Sequence, residues 1–160
     1  MGLNRPNSME KALVLDANIV LSLVAHEETQ PRVSMALRSY FTQRYRMFAP
    51  GVLVSETLYV LCGKLNTGEM KSQEHTQSIA HLATFMELVN PSPEGDGSLV
   101  LRAEAIRGNY TCRRSADGIY IALAEMLAQT HQTVLLTFDE DMARQANKHT
   151  PRFAVDCLQT

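Results

Sequence analysis

Two short apolar runs, each closed by a carboxylate, constrain what this chain can fold into. Ala12-Leu13-Val14-Leu15 leads into Asp16, and Val134-Leu135-Leu136-Thr137-Phe138 leads into Asp139. A short apolar run without alternation suits a strand buried on both faces, as in a parallel sheet covered by helices. Between the runs the sequence is mostly helical in pattern, punctuated by Pro31, Pro50, Gly63, Gly68, the Pro/Gly-rich stretch 90–97 and Gly108. The spacing predicts helices over 19–25, 33–44, 52–64, 72–88, 98–107, 116–129 and 140–148, with weaker strands at 47–49, 88–89 and 153–155. Short strands alternating with helices make an α/β fold, with a central, mainly parallel sheet of about five strands flanked by helices on both faces. Residues 11–160 read as one domain behind an N-terminal tail, 1–10.

At 160 residues, 45% hydrophobic and 20% charged, such a domain can hold a core without disulfides or a structural metal. No uncharged apolar run is long enough to span a membrane, and the first residues lack the apolar segment of a secretory signal. Cys62, Cys112 and Cys157 are odd in number and far apart, which reads as reduced core thiols in a cytoplasmic protein. The phosphate-binding glycine loops and the serine-nucleophile elbow are absent, and the five histidines show no zinc-ligand spacing.

The acids are the informative residues. Asp16 and Asp139 each end a strand, and parallel strands present their carboxyl ends to one edge of the sheet, where ligands bind. Each also reads as the N-cap of a following helix. Glu56 sits in Val52-Leu53-Val54-Ser55-Glu56-Thr57-Leu58-Tyr59-Val60-Leu61-Cys62, apolar on nearly all sides, so it needs a cation, a metal or a proton. Asp117 follows Ser115 at the start of a helix whose apolar face is Ile119, Ala122, Leu123, Met126 and Leu127, and capping alone accounts for both. Four ionised carboxylates at one edge repel one another by roughly 3 kcal/mol per pair at about 5 Å. An all-oxygen set relieved by a cation points to Mg²⁺ or Mn²⁺.

These residues resemble the PIN-domain nucleases, and within them the ribonuclease toxins of type II toxin–antitoxin pairs. Val14-Leu15-Asp16-Ala17-Asn18 looks like the first strand and acid of that family. Ala49-Pro50-Gly51-Val52-Leu53-Val54-Ser55-Glu56 resembles its proline and glutamate-bearing helix, Ser115-Ala116-Asp117 with Ile121-Ala122-Leu123-Ala124 its third motif, and Leu135-Leu136-Thr137-Phe138-Asp139-Glu140-Asp141 its fourth. The resemblance implies Asp16, Glu56, Asp117 and Asp139 as catalytic, metal-binding acids, Asp141 as an outer member, and Asn18, Ser115 and Thr137 as supporting polar residues. It further implies Mg²⁺- or Mn²⁺-dependent cleavage of RNA, frequent homodimers and an antitoxin partner. Gly118 departs from the alanine usual in the family, which is expected to loosen the first turn of its helix.

The chemistry follows from the acids themselves. Divalent ions held by carboxylates lower the pKa of bound water and stabilise the departing oxygen of a phosphodiester. Asp16 and Asp139 would anchor the principal ion, Asp117 complete or share it, and Glu56 hold or activate the water. Arg113 and Arg114 are the nearest basic residues to Asp117 in sequence and the best candidates to bind substrate, ahead of Lys64, Lys71 and Arg107. Tyr59 and Tyr120 could stack on a base, though packing explains them as well. Two other readings compete: a non-catalytic module of the same fold that binds RNA or protein, and a metal-dependent phosphatase. The formal charge of −2 becomes +2 without the four acids, so the near-neutral total does not oppose a nucleic-acid substrate.

Overall fold

The computed structural model describes residues 9–108, 117–149 and 152–160. Among them seven α-helices surround one parallel sheet of four strands, ordered β2-β1-β3-β4. The two apolar runs become the central strands β1 (Glu10–Leu15) and β3 (His131–Thr137), with Leu13 opposite Val134 and Leu15 opposite Leu136. Only a central position covers both faces of a strand, and Ala12, Leu13, Val14, Leu15, Val134, Leu135 and Leu136 are all buried. β2 (Arg46–Phe48) extends the sheet beside β1, and β4 (Ala154–Cys157) beside β3.

From β1 the chain steps outward to β2 through α1 (Ala17–Val24) and α2 (Gln30–Thr42). It leaves β3 in the opposite direction, through α7 (Glu140–His149) to β4. Right-handed crossovers in opposite directions place α1 and α2 on one face of the sheet and α7 on the other. The long connection from β2 to β3 holds α3 (Val52–Asn66), α4 (Ser72–Met86), a 3₁₀ turn (Asp96–Leu99), α5 (Val100–Gly108) and α6 (Asp117–Leu127). α3 and α4 pack on α1, whereas α6 packs on β1, β3, α5 and α7. α6 is more deeply set than a one-sided stripe implies. Asp117, Gly118, Tyr120, Ile121 and Ala124 are buried along with Ala122, Leu123 and Leu127, while Ile119 and Met126 are half-exposed.

The sheet has four strands rather than about five. The N–H groups of Leu88 and Val89 close turns onto Phe85 and Met86, so helix-like geometry persists beyond α4. Only Asn90 reaches the sheet, in a single parallel bridge to Phe48. Pro91, which has no N–H, ends the pairing there. β1 begins at Glu10. α2 starts at Gln30 rather than at Val33, since Pro31 in a first turn loses no intrahelical hydrogen bond. Of the cysteines, Cys157 is half-buried but Cys62 is exposed on the outer side of α3, against the expectation of a core thiol; Cys112 lies outside the described residues. No helix among the described residues is long and apolar enough to cross a membrane.

Candidate active site

The register of the two central strands builds the site. Because Leu15 is opposite Leu136, Asp16 leaves β1 beside Thr137, and its N–H donates to the Leu136 carbonyl at 3.1 Å. The Asp16 carboxylate, only 6% exposed, accepts from the Ala17 N–H at 2.7 Å through Oδ1 and from the Thr137 hydroxyl at 2.6 Å through Oδ2. Thr137 Oγ1 in turn accepts from the Asp139 N–H at 2.9 Å. Asn18 Oδ1 accepts from the Phe138 N–H at 3.3 Å, which ties the start of α1 to the turn after β3. Asn18 and Thr137 therefore hold the two strand ends together.

Capping and convergence both hold for the strand-end acids. Asp16 caps α1, and Asp139 Oδ1 accepts from the N–H groups of Asp141 (2.8 Å) and Met142 (3.1 Å) at the start of α7. Glu56 lies half-buried on α3 and accepts at 2.5 Å from the hydroxyl of Tyr120 on α6. One turn earlier on α6 stands Asp117, 8% exposed. Asp141 is exposed on α7 and pairs with Arg144 at 3.0 Å. Ser115, Arg113 and Arg114 lie outside the described residues. Of the weaker basic candidates, Lys64 is bound to Glu27 (3.1 Å) and Glu69 (3.7 Å), and Arg107 to Glu104 (2.8 Å).

The electrostatics couple several of these groups. Burial pushes the Asp16 carboxyl up to about 6; the hydrogen bonds from Thr137 and Ala17 oppose the rise, and the charges of Glu56 and Asp139 add to it. The Tyr120 hydroxyl is driven far above its ordinary range, first by burial, then by its bond to Glu56 and by the charges of Glu56, Asp16 and Asp117. Asp16 thus feels the charges of Glu56 and Asp139, and Tyr120 those of Glu56, Asp16 and Asp117. Among the described residues, no three His, Cys, Asp or Glu side chains already stand as a cage for a metal ion. Mutual repulsion opposes such closure, and donors from Thr137, Ala17, Tyr120 and the first turn of α7 serve oxygens of Asp16, Glu56 and Asp139. In chemistry, the set fits a hard divalent cation: carboxylate oxygens and no thiolate or imidazole.

Two residues gain a role that sequence patterning does not give them. Tyr120, 1% exposed, cannot stack on a base and instead joins α6 to Glu56. Gly118 does not loosen α6: a Cβ there would meet the Ala103 carbonyl oxygen at 2.7 Å, so the missing side chain lets α5 press directly on the turn that carries Asp117.

Comparison with known proteins agrees with this layout. The family model of the PIN domain matches residues 13–148. The chain belongs to the PIN domain family. No curated protein matches the chain in sequence. Among solved structures, this PIN domain is similar to VapBC2 from Rickettsia felis, crystallised with a DNA fragment from its promoter, at 12% identity and a TM-score of 0.59 over 92% of this chain and 99% of that one. It is likewise similar to FitAcB from Neisseria gonorrhoeae (18% identity, TM-score 0.54, 89% and 95% covered) and to PAE2754 from Pyrobaculum aerophilum (16%, 0.52, 96% and 90%). At such identities the likeness of the PIN domain to these structures is one of fold.

Proposed function

We propose that this PIN domain is a divalent-metal-dependent endoribonuclease and the toxin of a toxin–antitoxin pair. The observation that supports the reading is the carboxyl end of β1 and β3, where Asp16 accepts from Thr137, Thr137 accepts from the Asp139 N–H, and Glu56 accepts from Tyr120 one turn beyond Asp117. Asp16, Asp117 and Asp139 would hold Mg²⁺ or Mn²⁺, with Glu56 completing the set. When bound, the ion supplies the positive charge that activates water and draws in the scissile phosphate. Thr137 and Ala17 orient Asp16, and the first turn of α7 orients Asp139, so both carboxylates are placed before an ion arrives. Glu56, half-buried and held through one oxygen by Tyr120, would be the carboxylate that takes a proton from water. The acids supply no nucleophile of their own, which fits direct attack by water.

An antitoxin partner would hold this chain inactive, a reading in keeping with its likeness to VapBC2, crystallised with a DNA fragment from its promoter. Large apolar side chains on the outer faces of the helices, Met35 and Phe41 on α2, Tyr59 on α3 and Leu101 on α5, offer surface for an antitoxin and for a second copy of the chain. A cytoplasmic location follows from such a role. The deciding experiment is cleavage of an end-labelled RNA with Mn²⁺ or Mg²⁺ and with EDTA, for the wild type and for Asp16→Ala. Metal-dependent fragments from the wild type alone are expected. Absence of cleavage of any RNA, together with equal Mn²⁺ binding by both proteins, would sink the reading, and turnover of small phosphoesters without RNA cleavage would make the chain a phosphatase.

A further inference from the structure

We propose that Tyr120 is a positioning residue for Glu56, holding its carboxylate where it can join the other acids around one cation. The inference rests on the reading that the acids bind a divalent ion, and extends it to a residue that is not itself a ligand. Three observations carry it. The Tyr120 hydroxyl donates to Glu56 Oε2 at 2.5 Å, across 64 residues of sequence and between two helices. Tyr120 stands three residues beyond Asp117, on the same side of α6, so one helix turn sets both Asp117 and the donor that fixes Glu56. The ring is buried among core side chains, so it reaches neither solvent nor substrate and can act only through Glu56. Outer-shell hydrogen bonds of this kind hold ligating carboxylates in other metal sites.

The test is a calorimetric titration of MnCl₂ into the full chain, its Asp16→Asn, Glu56→Gln and Tyr120→Phe variants, and the Tyr120→Phe/Glu56→Gln double variant, with melting curves in EDTA alongside. Phe keeps the buried ring, so a folded protein is expected. Tyr120→Phe should bind Mn²⁺ about 10- to 100-fold more weakly than the wild type. In the Glu56→Gln background it should add little, because the donor has lost the carboxylate it serves. Wild-type Mn²⁺ affinity in Tyr120→Phe, whatever its melting temperature, overturns the proposal, as does an equal loss in both backgrounds. If Asp16→Asn also binds Mn²⁺ like the wild type, the cation reading itself has failed and the proposal falls with it; that outcome is distinguishable from a silent Tyr120→Phe beside a non-binding Asp16→Asn.

Discussion

At the scale of single residues, Asp16 holds opposing demands. Its carboxyl, raised to about 6 mainly by burial, binds a proton more tightly in the folded chain than in the unfolded one. Its contribution is therefore most favourable below the ordinary aspartate range and is lost as pH rises through 6, by about 3 kcal/mol in all. Asp16→Asn removes that term, and in EDTA at pH 7.5 the variant should be more stable than the wild type by about 1–3 kcal/mol, the difference shrinking toward pH 4.5. Urea denaturation at the two pH values measures it, and a less stable variant at pH 7.5 would show that the hydrogen bonds from Thr137 and Ala17 outweigh the burial cost. Because the cation competes with the Asp16 proton, metal affinity should also rise through pH 6. Asp16 and Asp139 are legible in the sequence because an apolar run ending in an acid is a local signal. Tyr120 is not, since its partner lies on another helix and an aromatic residue in an apolar helix reads as packing.

At the scale of elements, the contact of α5 with α6 decides where Asp117 stands. Gly118→Ala drives a methyl group against the Ala103 carbonyl, and neither helix backbone can yield without moving the first turn of α6. A loss of about 1–3 kcal/mol in chemical denaturation is expected, with weaker Mn²⁺ binding because Asp117 moves with the turn. Unchanged stability would mean that α5 simply slides away. Such a close approach has no signature in one sequence, where the glycine looks like a weak spot. α3 misleads in the other direction. Its apolar character suggests a helix buried all round, yet it turns only Leu53, Thr57 and Leu61 fully inward and leaves Tyr59 82% exposed. Hydrophobicity reports that a face wants cover, not whether the cover lies within the same chain. The sheet was readable where both faces of a strand are buried, and failed at residues 88–89, where turn hydrogen bonds and Pro91 leave one bridge in place of a strand.

At the scale of the whole molecule, Asp16 and Asp139 stand at one sheet edge, and the chain without the four proposed site acids carries a slight positive balance. An empty site should repel phosphate and a filled one attract it, so affinity for an uncleavable RNA analogue should rise on adding Mn²⁺ and fall again with EDTA. Filter binding at constant ionic strength tests this, and an affinity indifferent to EDTA would contradict it. The pairing of β1 with β3 has a temporal consequence as well. Residues 10–15 meet their neighbours 131–136 across most of the chain, whereas their other neighbour, 46–48, is made early. On the ribosome, β1, α1, α2 and β2 can assemble first, with Asp16 at an open edge and no Thr137 to receive it. Closing so long a loop comes late in folding. A nascent chain, or one truncated before β3, therefore leaves Asp16 without Thr137 and Asp139 beside it, and these strand ends meet only once residues 131–139 have been made.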